Sequence, residues 1–313
     1  MRNIDDSLPP GTRIDHYVIE YTLSRGGFSI VYLANVSGLD KHVAIKEYIP
    51  RKFARRDEDM RVAPATEDDV DRFNHGRKLF FKEASTLATL KHDTIVNVFN
   101  FFSANGTAYM VMEYQPGENL EAYIKKYQGN LSETFMRTVF PPLLEGLKML
   151  HDAGLTHLDI KPANVHLIHG GKPLLLDFGA VHQMMSTRQY QPSQVITPGY
   201  SPIEQYKSKG YVGPWSDIYA LGATMRSCLE GCPPPPAKER AENDEMRPAT
   251  ELFKKHYSET LLSAIDWAME VDPLNRPQNI NELLEYIDKE DGEEPSPSGI
   301  KKFTNSLFNR LED

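Results

Sequence analysis

A change of rhythm near Gly117 constrains this chain more than any other feature. Before it, short runs rich in β-branched and aromatic residues recur: Tyr17-Val18-Ile19, then Phe28 to Leu33, then His42 to Lys46. Gly26-Gly27 and Ser37-Gly38 stand between them, which predicts an antiparallel meander. Two further strands are predicted around Ile95 to Phe102 and Ala108 to Tyr114, joined by Ala104-Asn105-Gly106. One helix interrupts the strands, because Phe80, Ala84, Leu87, Ala88 and Leu90 recur at helical spacing. After Gly117 the pattern turns helical, over Leu120 to Tyr127, Ser132 to Ala153, Asp217 to Leu229 and Thr260 to Glu270. A strand-rich first third followed by a helical remainder predicts an α+β chain of two lobes.

The 313 residues allow about two compact units. The boundaries read as an extension over 1–15, a first lobe over 16–113, a second over 114–289, a Pro/Ser/Gly linker over 290–299 and a tail over 300–313. In the tail, Ile300, Phe303, Leu307 and Leu311 share one helical face, so it docks on its own domain, on a partner or on a membrane surface. Within the first lobe, residues 49–74 form a charged insertion with a basic half (Arg51, Lys52, Arg55, Arg56) and an acidic half (Glu67, Asp68, Asp69, Asp71). It reads as a solvated excursion, with a docking surface as the alternative.

Charge and cysteine exclude several classes. Lys and Arg number 35 against 44 Asp and Glu, a net −9, which opposes general nucleic-acid binding. Cys228 and Cys232 are too few for a disulfide framework or a cysteine zinc site. The N-terminus lacks an apolar signal core and no run reaches membrane-spanning length, so a cytoplasmic protein is expected.

The chemistry gathers in His157-Leu-Asp-Ile-Lys-Pro-Ala-Asn164, followed thirteen residues later by Asp177-Phe-Gly179. Asp159, Lys161, Asn164 and Asp177 supply hard oxygens for a divalent cation and a positive charge to offset phosphate. Upstream, Leu23-Ser-Arg-Gly-Gly-Phe-Ser29 is either a glycine hairpin or a phosphate-covering loop. Lys46 is either a strand-edge charge or a phosphate ligand, and Glu83 either a surface carboxylate or its partner.

In this order the motifs resemble the Ser/Thr protein kinases, in their bacterial Hanks-like form, over about Tyr17 to Asp288. The resemblance implies a bilobal fold, with an antiparallel-sheet N-lobe holding one main helix and a mostly helical C-lobe. It implies ATP and Mg²⁺ (with Mn²⁺ an alternative), protein substrates with Ser or Thr acceptors, and autophosphorylation. Leu23, Ser24, Arg25, Gly26, Gly27, Phe28 and Ser29 would cover the phosphates. Val31, Ala44, the gate residue Met112, Glu113, Gln115 and His166 would surround adenine. Lys46, paired with Glu83, would hold the α- and β-phosphates, Asp159 would accept the hydroxyl proton, Lys161 would steady the γ-phosphate, and Asn164 and Asp177 would ligate the metal. Structural roles are implied for Thr197 (bonding Asp159 and Lys161), for Glu204 with Arg276, for Asp217 beneath the catalytic loop, and for the stack of Leu87, Val98, His157 and Phe178.

The chain departs from the family pattern at four places. Ser24 and Ser29 replace two loop glycines, Leu158 stands where an Arg usually grips an activation-segment phosphate, His166 replaces an apolar residue beneath adenine, and Pro202-Ile-Glu204 shifts a proline. Leu158 implies independence from such a phosphate, and His166 either stacks on the base or turns outward. Ser186, Thr187, Tyr190 and Ser193 are candidate autophosphorylation sites. A nucleotide-binding scaffold without turnover and a small-molecule kinase are the rival readings. The retained ionic residues oppose the first, and Lys161-Pro162 with the segment through Glu204 opposes the second.

Overall fold

The computed structural model describes residues 6–177, 182–183, 196–207 and 210–287. Its first lobe is an antiparallel sheet of β1 (Arg13–Ile14), β2 (Tyr17–Arg25), β3 (Ser29–Val36), β4 (His42–Tyr48), β7 (Val98–Ala104) and β8 (Thr107–Glu113). The strand order is β1-β2-β3-β4-β8-β7, with Lys46 of β4 opposite Val31 of β3 and Met110 of β8. Asn105 and Gly106 both have positive φ, the geometry a two-residue hairpin loop requires between twisted strands.

Between β4 and β7 lie the hairpin β5 (Ala54–Arg56) and β6 (Val62–Pro64), then α1 (Val70–Leu87). The expected solvated excursion over 49–74 is therefore corrected twice. Phe53, Ala54 and Val62 are buried, and the helix of Glu83 begins at Val70 inside the charged stretch. The physical reason is pairing: Arg56 is sunk into an ion pair with Glu47, so its charge does not mark solvent. On α1, Phe73, Phe80, Ala84 and Leu87 form the buried face, while Leu90 lies beyond the helix end.

The second lobe opens with β9 (Gly117–Asn119), α2 (Leu120–Tyr127) and α3 (Glu133–Asp152), close to the expected bounds. Asn119 and Ser132 accept from the first-turn amides of Ala122 and Phe135, fixing both helix starts. Next come β10 (Leu155–Thr156), β11 (Val165–Ile168), β12 (Pro173–Leu175) and the short β13 (His182–Gln183). The helices α4 (Pro214–Glu230), α5 (Ala237–Glu242), α6 (Ala249–Leu252), α7 (Glu259–Ala268) and α8 (Ile280–Ile287) complete it. Helix α4 is buried from Ser216 to Leu229 and forms the axis of this lobe. The antiparallel sheet with one main helix, followed by a mainly helical lobe, is the predicted architecture. The linker, the tail and the four candidate phosphorylation hydroxyls lie outside the described residues, as does Phe178. Among the described residues, no helix is long and apolar enough to cross a membrane.

Candidate active site

The alternation of β4 sends Ile45 and Glu47 to one face of the sheet and Lys46 to the other, toward α1. There the Lys46 ammonium donates to Glu83 Oε1 at 3.3 Å and to Asp177 Oδ1 at 2.7 Å. Burial alone would lower the Lys46 pKa, but the charges of Asp177 and Glu83 more than reverse this, and it lies above the ordinary lysine range. Glu83 is displaced upward, first by burial and then by Asp177, against the pull of Lys46. The lysine is therefore a fixed, buried cation, bridging buried Glu83 on a helix of the first lobe to half-exposed Asp177 just past β12 in the second. Neither the strand-edge charge nor the surface carboxylate is what these residues became.

The loop before β11 brings the remaining groups together. Lys161 Nζ donates to both Asp159 oxygens at 2.9 and 2.8 Å and to Thr197 Oγ1 at 3.2 Å, while the Thr197 hydroxyl donates to Asp159 Oδ1 at 2.9 Å. Asn164 Nδ2 donates to Asp159 O at 2.8 Å and to Asp159 Oδ2 at 3.0 Å. This turns the amide oxygen of Asn164 away from Asp159 and leaves the amide orientation defined.

What holds this loop is Asp217, which accepts from the backbone amides of His157 and Leu158 at 2.8 Å each and from His151 Nε2 at 2.8 Å. Burial would raise the Asp217 carboxyl, but the bonds from His151 and the charge of the histidines carry it below its usual range. Leu158, directly before Asp159, has φ 61°, and Asp177 has φ 57°, both in the left-handed region that a leucine rarely adopts. Both backbone groups of Leu158 are pinned, its N–H by Asp217 and its carbonyl by Gln205 Nε2 at 2.9 Å. Below, Glu204 is paired with Arg276 at 2.8 and 3.2 Å and accepts from Ser216 Oγ at 2.8 Å. The structural positions expected of Thr197, Asp217, Glu204 and Arg276 are thus occupied. Gln205 and His151 escaped the sequence reading, because glutamine and histidine in apolar surroundings carry no motif.

Leu23, Ser24 and Arg25 end β2, and the turn Gly26-Gly27-Phe28 joins it to Ser29 of β3, closing with the Gly26 amide donating to Ser29 O at 2.8 Å. A Cβ at Gly26 would meet only Ser29 atoms at 3.5 Å or more, and one at Gly27 would meet nothing within 4 Å. Packing within the protein does not demand glycine there; the open side of the turn leaves the backbone accessible to a ligand. Ser24 pairs with Val31 within the ladder. Met112 and Ala44 face one another across β8 and β4 and are buried, with Glu113 and Gln115 following on the link between lobes. His166 neither stands free nor turns outward: its Nε2 lies 2.9 Å from Gln115 O, and since a carbonyl only accepts, that nitrogen carries the proton.

The protein kinase domain profile matches residues 17–287. The chain belongs to the protein kinase family. It is 30% identical over 284 residues to the serine/threonine-protein kinase PknA of Nostoc sp., covering 87% of this chain and 47% of that protein. It is 30% identical over 276 residues to serine/threonine-protein kinase C of Synechocystis sp., covering 84% and 47%. The chain thus spans about half the length of the curated relatives it matches. A solved structure described as "PpkA-294 apo form" superposes with a TM-score of 0.81 at 35% identity, over 90% of this chain and 100% of that one. Both of these relatives are bacterial serine/threonine kinases, in agreement with the bacterial-type resemblance of the motifs.

Kinases of this family use ATP with a divalent cation. The residues present fit that pair. Asn164 and Asp177 offer an amide and a carboxylate oxygen, donors suited to a hard cation. Among the described residues no three His, Cys, Asp or Glu side chains converge on a cation site, so phosphate and water oxygens would have to complete its shell.

Proposed function

We propose that this chain is an ATP-dependent protein kinase that transfers the γ-phosphoryl group to serine or threonine hydroxyls of protein substrates. The observation that carries the reading is Lys46, buried and bonded at once to Glu83 and Asp177 beside the Asp159–Lys161–Thr197 cluster. Such an array has little covalent work to do; it positions phosphates and neutralises charge.

In this reading Lys46 holds the α- and β-phosphates and Glu83 holds Lys46. Asp159 accepts the proton of the attacking hydroxyl as its oxygen bonds to phosphorus and the bond to the leaving ADP oxygen breaks. Lys161 balances the transferred charge, and Thr197 keeps Asp159 and Lys161 in register. Asn164 and Asp177 would hold Mg²⁺, with Mn²⁺ the alternative, and a cation there would offset phosphate charge. Gly26 and Gly27 bring the β2–β3 turn onto the phosphates, while Val31, Ala44, Met112, Glu113 and Gln115 receive adenine. Cys228 and Cys232, both free thiols, accord with a cytoplasmic setting.

The test incubates wild type, Lys46→Met and Asp159→Asn with γ-labelled ATP, a divalent cation and a generic protein acceptor, with acceptor residues located by mass spectrometry. Phosphoserine or phosphothreonine from wild type, and loss of at least ~100-fold in both variants, is the expected result. Equal incorporation by Asp159→Asn defeats the assignment, and nucleotide binding without turnover by wild type replaces it with the scaffold reading.

A further inference from the structure

The hairpin between Lys46 and the helix of Glu83 grips both faces of the first lobe. Glu47, next to Lys46 on β4, points to the opposite face and is fully buried. It accepts from Tyr109 Oη at 2.6 Å, Tyr32 Oη at 2.7 Å and Arg56 of β5 at 2.5 Å. Arg56 also donates to Asp6 O at 2.7 Å, tying in the N-terminal segment. Burial, reinforced by the Glu47 charge, pushes both phenols far above the tyrosine range, so they remain donors. A carboxylate this deep is stable only with its partners in place, which makes the Arg56 attachment specific.

The same hairpin holds α1. The Phe53 ring lies 4.4 Å from the Arg72 guanidinium in the first turns of that helix. Val62 N donates to Asn105 O at 2.7 Å in the β7–β8 turn, and Arg77 of α1 donates to Gly106 O at 2.9 Å in that same turn. Hairpin, turn and helix therefore close a ring of contacts. Tyr48, at the end of β4, packs on Phe73 and Phe80 at 5.5 and 5.9 Å between ring centres. Glu83 lies eleven residues beyond Arg72, about 16 Å along one rigid helix.

We propose that residues 49–69 are a built-in clasp that positions α1 and thereby keeps Glu83 on Lys46, so that the transfer-competent arrangement does not wait on an activation-segment phosphate. Leu158, in the place of the arginine that would grip such a phosphate, leaves this task to be done elsewhere, and the clasp does it from within the chain. Phe53 and Arg56 are then positioning residues that act through Glu83. The inference rests on the phosphoryl-transfer reading, but its physical half, restraint of α1, does not.

The experiment uses the full chain with Arg56→Met, Arg56→Lys, Phe53→Ala and Arg72→Ala, each alone and combined with Glu83→Gln. The Arg72 change alters one exposed helix residue and leaves the Glu47 cluster intact, so it reports even where Arg56→Met folds poorly. Expected are a loss of about tenfold in kcat for Arg56→Met, Phe53→Ala and Arg72→Ala, partial rescue by Arg56→Lys, and faster hydrogen exchange across residues 70–87. In the Glu83→Gln background the same changes should cost less than about twofold, since the ion pair they act through has already lost its charge. Equal losses in both backgrounds, or unchanged exchange across α1, overturn the clasp. If wild type transfers no phosphate, the functional reading fails, and exchange across α1 alone then decides for or against the restraint.

Discussion

Replacing Gln205 by methionine should cost catalysis more than its distance from the nucleotide suggests. Gln205 is buried and its amide donates to the carbonyl of Leu158 at 2.9 Å, while the Leu158 N–H donates to Asp217 Oδ1 at 2.8 Å. These two bonds hold a leucine at φ 61°, where a residue of this kind stores ~1–3 kcal/mol of strain. Methionine keeps most of the volume but leaves the buried carbonyl unpaired, worth another ~1–3 kcal/mol. The loop can recover both terms by relaxing Leu158, and Asp159 is the next residue. The strain is present in wild type too, so the substitution adds only the ~1–3 kcal/mol of the lost pairing, and the competent population should fall by roughly 5- to 150-fold in kcat, since each 1.4 kcal/mol is about tenfold, with little change in KM for ATP. Steady-state phosphate transfer at saturating ATP measures it. A Leu158→Gly partner separates strain from simple destabilisation, because glycine adopts positive φ freely. In that background Gln205→Met should lower kcat far less. An equal loss in both backgrounds, or an unchanged kcat in the single variant, refutes the reasoning.

His166→Leu removes the bond to Gln115 O and loosens the link between lobes where adenine is expected; KM for ATP should rise about 2- to 10-fold with kcat retained, read from initial rates over an ATP series. His157 is fully buried, and burial depresses its pKa against the opposing pull of Asp217 and Asp159. The unfolded imidazole, with a pKa of about 6.5, then binds a proton that the folded one refuses, so stability is present above that pH and is lost below it. Urea unfolding at pH 7 and pH 5.5 should show a fall of about 1 kcal/mol that is absent in His157→Phe, and identical falls in the two proteins would contradict it.

Strand and helix succession was readable because period-2 and period-3.6 patterns are local. The bounds of α2 and α3 follow from Asn119 and Ser132, whose capping roles are written in their side chains. The polar set of Lys46, Glu83, Asp159, Lys161, Asn164 and Asp177 was readable for another reason: motif order, with residue types suited to holding phosphate and a hard cation. Helices α5 and α6 escaped notice because they are short, at six and four residues, too few turns for a period to register. Leu158 looked like a mere substitution. Only the backbone angle shows that it is strained, and only Gln205, 47 residues away, shows what keeps it so.

The insertion shows where composition misleads. A run such as Arg51-Lys-Phe-Ala-Arg-Arg56 reads as solvent-facing because an unpaired buried charge is prohibitively unfavourable. That inference holds only if no partner exists, and partners are set by tertiary pairing. Here β4 carries Glu47 to the same face as Tyr32 of β3 and Tyr109 of β8, and these two donors leave acceptor capacity on the buried carboxylate for Arg56. With that acceptor already desolvated, Arg56 is drawn inward, its neighbours Phe53 and Ala54 go with it, and Arg55 stays outside. One buried ion pair between residues nine apart in the chain thus converts a charged stretch into a packed hairpin. A pair that controls burial in this way also controls where α1 begins, because the hairpin delivers the chain to Val70.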